Sequence, residues 1–312
     1  MDFYALLNTI ITLSVLLLTG YIAAKLNIID EVASKNLSNL IIKIGNPALI
    51  ISSIISMEHS PENLKLGGLT LLAGFIIHIV MAILSFFICL KLKNLDERKV
   101  SEFTLIFGNV GFIGLPILDS IFGDKGVFMG AFIIISFNVI LWTWGIAILA
   151  RKREDIKLTL KKVLFNYGTV ASAIGIAIYL LNFNFPPFFY SSFSYVSALC
   201  TPITLFITGA LLARRSLKQL FLSPNVYFVC FMRLIFMPLV ICVLCKIIGL
   251  NAEWTLFLTV IAGMPVASTI SMLSDLYEIA PGHAAQCVGT SSVLSMLTIP
   301  CVVWIAQQII LI

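Results

Sequence analysis

Charge is what this chain has least of. Only 11% of its 312 residues are Asp, Glu, Lys or Arg, against about 25% in soluble proteins, so a water-facing globular surface is excluded. The apolar share is 60% and the mean hydropathy +1.06, which makes the chain a polytopic membrane protein. Also missing is the alternation of polar and apolar residues that a membrane β-strand requires; the long continuous apolar runs exclude a barrel and leave an all-α fold. The chain has no HExxH, no Gly-x-Ser-x-Gly, no phosphate-binding P-loop and no paired acidic motif for magnesium and diphosphate, so it is expected not to be an enzyme. Cys89, Cys200, Cys230, Cys242, Cys245, Cys287 and Cys301 all fall in apolar runs, where cysteine behaves as a small hydrophobe. Cys242 and Cys245 form one CxxC without a second pair or a histidine beside it, so no metal site and no cofactor are implied.

A bilayer needs roughly 20 apolar residues per helix. Hydropathy places ten spans, near 3–24, 38–57, 66–90, 101–121, 126–149, 163–182, 194–213, 225–248, 254–275 and 285–311. The first starts at an acidic Asp2 and is too long for a signal peptide, so it is read as a retained helix. A net charge of +5 needs no nucleic-acid partner, because membrane topology explains it. Sixteen of the 20 Lys and Arg fall on alternate connections, with clusters in 91–99, 151–162 and 214–218; Lys65, Lys125 and Lys246 fall on the others, and Arg233 lies inside span eight. This bias puts both termini outside the cytoplasm. The hydrophilic stretch 151–162 divides the chain into residues 1–150 and 163–312, each with five spans. An odd number per half inverts the second copy relative to the first, giving two inverted five-helix repeats.

Two places depart from helix-forming sequence: Gly108-Asn109-Val110-Gly111-Phe112-Ile113-Gly114-Leu115-Pro116 in span four and Gly263-Met264-Pro265-Val266-Ala267-Ser268-Thr269 in span nine. Glycine and proline both disfavour helix, so spans four and nine are expected to break. Paired breaks in corresponding positions point to a solute site at the middle of a secondary transporter. Asn109, Gly111, Gly114, Pro116, Pro265, Val266, Ser268 and Thr269 are the candidate binding residues. The positive ends of two converging helices suit a carboxylate, while Asn109 and the hydroxyls either bind solute or re-pair the freed backbone. Arg233 is costly in lipid, at about 2.5–3.5 kcal/mol. It is therefore expected to face the protein interior or a cavity, where it attracts an anion, gates or pairs with Asp275, or to snorkel to the surface. Asp275 and His78 are candidate proton-linked groups. Asn46-Pro47 in span two and Thr201-Pro202 in span seven mark two further expected helix breaks.

With Asn46-Pro47-Ala48-Leu49, the Gly108–Pro116 run, Pro202 followed by Phe206, and Met264-Pro265-Val266-Ala267, the chain resembles the auxin efflux carrier family over its whole length. That family includes plant PIN-type auxin exporters and bacterial permeases assigned to malate, malonate and similar organic anions; this chain looks like a bacterial-type member. Its short central loop departs from the long cytoplasmic loop of many plant members, so their loop-based regulation is not implied. The resemblance implies a ten-helix fold similar to bile acid and sodium symporters, with spans four and nine crossing at their breaks. It further implies elevator-like alternating access against a scaffold carrying Pro47 and Pro202, and a homodimer. The expected function is a permease moving a small mono- or dicarboxylate across the cell membrane, with coupling to protons or sodium left open. Membrane lipid is the other expected partner. A channel or sensory protein gated by the breaks is the alternative from another class, and an enzyme acting on lipid-linked substrates a third.

Overall fold

The computed structural model describes residues 3–153, 167–183, 185–213 and 223–311, and these are all helices and short connections. Most of the expected linker 151–162 lies outside the described residues. Among the described residues, seven helices are long and apolar enough to cross a membrane: α1 (Phe3–Lys25), α2 (Glu31–Ile55), α3 (Pro61–Cys89), α6 (Asp124–Ala150), α8 (Pro187–Ala213), α9 (Pro224–Ile247) and α12 (Pro281–Leu311). Shorter ones complete the order: α4 (Leu95–Ile106), α5 (Val110–Phe122), α7 (Tyr167–Leu180), α10 (Ala252–Ala262) and α11 (Thr269–Leu276).

Several helices start before their apolar runs do, because the start is set by a capping side chain and not by hydropathy. Asp30 accepts the Ala33 amide, Ser60 that of Asn63, Asn94 those of Asp96 and Glu97, and Asn251 that of Trp254. Each cap satisfies donors that the first turn leaves unpaired. Thus α2 begins at Glu31 and not near 38, and the helix expected from 101 begins at Leu95.

The proline expected to break span two does not do so, and near Pro202 the interruption is one residue long. Three of the four π turns among the described residues stand just before a proline: residues 41–45 before Pro47, 110–114 before Pro116 and 232–236 before Pro238. A proline removes one amide and presses its ring on the carbonyl four residues back; a locally widened turn relieves both and lets the helix continue. Asn46 and Pro47 therefore sit inside a continuous α2. Pro202 lies in the first turn after a single non-helical residue, Leu199, within α8.

Apolar side chains face outward as well as inward. Ile11, Val15, Leu18 and Ile22 form an exposed stripe on α1, and Ile76, Ile79, Ile83 and Phe87 form one on α3. Contiguous apolar faces of this size are untenable in water and ordinary in lipid. Inside, helices approach through small residues. A Cβ on Gly20 would lie 2.3 Å from the Phe206 carbonyl oxygen, and one on Gly209 would lie 2.1 Å from the Leu17 carbonyl oxygen, so α1 and α8 touch backbone to backbone. Gly209→Ala is expected to lower thermal stability by at least about 1–3 kcal/mol, the usual cost of overpacking. Gly68→Ala, inside a helix with open space at its Cβ, should keep or raise the melting temperature in the same assay.

Candidate functional site

Helical geometry stops after Ile106 and resumes at Val110; it stops again after Ala262 and resumes at Thr269. Non-helical backbone at membrane depth is tolerated only where protein or a cavity satisfies its polar groups, and here the two stretches satisfy each other. Gly108 and Val266 form an antiparallel bridge. The Asn109 amide donates to the Pro265 carbonyl at 2.7 Å and the Ala267 amide to the Phe107 carbonyl at 3.1 Å. The Val266 amide donates to Ser291 Oγ on α12 at 3.0 Å. Pro265 fits because its carbonyl is used and its missing amide is not.

The C-terminal carbonyls of α4 and the backbone after α10 remain, and Arg233 takes them. Its side chain is 1% exposed. Nε donates to the Met264 carbonyl at 3.0 Å, and Nη1 donates to those of Leu105 at 2.7 Å and Ile106 at 3.4 Å. A cation is favourable at a helix C-terminus, where the last carbonyls carry partial negative charge, and the planar fork of Arg reaches several of them together. Arg233 is neither in lipid nor snorkelling, and among the described residues no ion pair joins it to Asp275, which is exposed. Gly108 makes room for it: a Cβ there would lie 2.1 Å from Arg233 Nη2 and 3.1 Å from Met264 Cβ.

The opposite ends of the breaks, the starts of α5 and α11, border one cavity of about 360 Å³. Val110 and Gly111 line it from the first helix, Ser268 and Thr269 from the second. Asn109 caps α5, its Oδ1 accepting the Phe112 amide at 3.2 Å. No partner for Asn109 Nδ2 is found among the described residues, so its two N–H donors are left for the cavity it lines. Asn138 on α6 lines it too and has a buried Nδ2 without a hydrogen-bond partner. The rest of the wall is largely aromatic and aliphatic, including Ile134, Phe137, Leu141, Trp142 and Met272, and carries no charged side chain among the described residues.

Residues 5–305 match the family model of membrane transport proteins. The chain belongs to this family. It is the family of the auxin efflux and PIN-like carriers, as the sequence motifs suggested. An uncharacterized transporter of Methanocaldococcus jannaschii is 24% identical over 309 residues, covering 96% of this chain and 98% of that one. One from Methanothermobacter thermautotrophicus is 23% identical with the same coverage. The uncharacterized transporter YfdV of Escherichia coli is 20% identical over 97% of this chain and 98% of its own. Family and relatives are transporters, which decides against an enzyme.

In this membrane transport protein the residues read from sequence separate into two groups. Asn109, Gly111, Ser268 and Thr269 line the cavity, as does Asn46, expected only to mark a break in span two. Gly114, Pro116, Pro265 and Val266 do not; they build the backbone behind it. Gly114 donates its amide to the Asn109 carbonyl, and Pro116 stands inside α5 just after the π turn of residues 110–114. His78 lies outside the cavity as well, its Nδ1 2.6 Å from the Gly74 carbonyl and its ring 6.0 Å from those of Phe107 and Phe137. Asn138 was missed, although an amide in an apolar run was visible as an anomaly.

Proposed function

We propose that the chain is a secondary transporter of the cell membrane that carries an organic monocarboxylate with an apolar body. The observation that supports this reading is the make-up of the cavity between the breaks: two helix starts and the Asn109 amide on one side, an uncharged aromatic and aliphatic wall on the other. Free amides and the dipole at a helix start favour an anion. A second carboxylate would have to face that apolar wall, where an unpaired charge is expensive, so dicarboxylates are disfavoured.

In this reading α4 with α5, and α10 with α11, are halves of single spans that cross where Gly108 meets Val266, completing ten spans in two inverted repeats. The cavity reaches toward the ends of α6 and α11 at Trp142 and Leu276, the face that also carries Arg151. By the charge bias that face is cytoplasmic, so both termini are outside and this conformation is open inward. Alternating access is elevator-like, in a homodimer, with the paired breaks moving as one body.

A thermal-shift screen with the purified protein tests the substrate class, because a ligand at 100 times its Kd adds about 2.7 kcal/mol of stability. Aromatic and branched monocarboxylates should raise the melting temperature, and dicarboxylates of equal length should not. Equal shifts for both would overturn the monocarboxylate assignment. Saturable counterflow in liposomes supports a carrier, whereas non-saturating flux with unitary currents would mean a channel. Asn138→Leu separates site from scaffold: it removes a buried donor without a partner, so stability should hold or rise, while substrate affinity should fall about fivefold, the worth of one hydrogen bond of about 1 kcal/mol.

A further inference from the structure

Away from the central cavity, α3, α4 and the end of α6 enclose a second recess of about 580 Å³. Its floor is Glu102, a carboxylate with only 2% of its side chain exposed. Glu102 accepts from Arg98 Nε at 2.9 Å and from Arg151 Nη1 and Nη2 at 3.0 and 2.7 Å. One buried anion thus fixes two guanidiniums. The hydrogen bonds to Glu102 hold the pKa of Arg151 above its ordinary value. Lys152 lines the same recess, so three cations stand against one carboxylate. Of the nearby acids, Asp96 pairs with Lys99, and Glu97, which accepts from Asn225, does not line the recess. The Arg98 guanidinium lies 5.6 Å from the centre of the Phe86 ring. The rim is apolar and open, with Phe87 63% and Trp144 56% exposed.

We infer that this recess binds the phosphate of an anionic membrane lipid. Guanidiniums held in fixed orientation match phosphate oxygens, and basic pockets between helices at one membrane face bind acidic headgroups. A soluble phosphate would gain nothing from Phe87 and Trp144, whereas acyl chains would lie against them, and tryptophan favours headgroup depth. The site is separate from the solute cavity and does not depend on the substrate assigned there.

The test is native mass spectrometry and thermal shift on the full chain in neutral detergent, with phosphatidylglycerol, phosphatidylcholine and inorganic phosphate as probes. Phosphatidylglycerol should bind at least about fivefold more tightly than phosphatidylcholine for each cation engaged and should raise the melting temperature. Lys152→Glu reverses an exposed charge without touching the Glu102 pairs and should abolish the preference; Lys65→Gln, at the far end of α3 from Phe87, should keep it. Equal binding of the two lipids to the unmodified protein, or a preference that survives Lys152→Glu, would overturn the proposal. Protection by inorganic phosphate equal to that by phosphatidylglycerol would overturn the lipid assignment, leaving a site for small anions.

Discussion

Arg233→Ala should lose most of the folded population in detergent and all measurable transport. The substitution strips the donors from the carbonyls of Leu105, Ile106 and Met264 at once. Each buried acceptor left unpaired costs about 1–3 kcal/mol, against a total stability on the order of 5–15 kcal/mol. Arg233→Lys keeps the charge but not the fork, so it should fall between the two. Millimolar guanidinium, far below denaturing concentration, should restore part of the thermal stability of Arg233→Ala by occupying the vacated position, and general weakening of the fold would not respond that way. Gly108→Ala should resemble Arg233→Ala, because its Cβ needs the space of Nη2. An Arg233→Ala protein that melts and transports like the parent would show that the breaks do not rest on this side chain.

Fold class and family were legible in composition and a few motifs, and the reason is physical. Lipid demands continuous apolar helices, and hydropathy measures that demand directly. Hydropathy does not see the helix outside the lipid. The turn from Glu31 to Leu37 is polar, yet Asp30 caps it into the same helix as Ile50, and Asn94 does so for the polar start of α4. Nor does it see how a proline will be absorbed. Pro47 and Pro265 read alike, but a π turn keeps the first in a helix and the second lies in extended backbone.

The site was partly legible for a related reason. Arg233 stands out as a charge in an apolar run that must face the interior, a cavity or the surface, but its partners are backbone carbonyls, which leave no trace in sequence, so they are not among the partners that the sequence suggests. Gly114 and Pro265 were read as lining because they mark the break, whereas residues that make a break bury themselves in making it. Asn138 reaches the cavity from α6, where no glycine or proline beside it marks a break, and Asn46 reaches it from α2, where the Asn46-Pro47 pair marks an expected break and gives no sign of lining.

Asn109→Asp should fold like the parent and fail to transport, and the two halves of that result have different causes. The aspartate keeps an oxygen where Oδ1 accepts the Phe112 amide, and a negative charge at a helix start is worth about 0.3–1 kcal/mol in its favour. It also removes both N–H donors from the cavity and sets a like charge beside the proposed anion. At about 4 Å and an effective dielectric near 20 that repulsion is about 4 kcal/mol, so even half of it lowers counterflow more than tenfold. Asn109→Ala provides the contrast, since it loses the cap as well, about 1 kcal/mol of stability, and removes the donors without adding charge. Its flux should lie between those of the parent and the aspartate variant while its melting temperature is the lowest of the three. If Asn109→Asp carries the substrate at the parental rate, the side chain serves as a helix cap alone and the carboxylate does not sit at these helix starts.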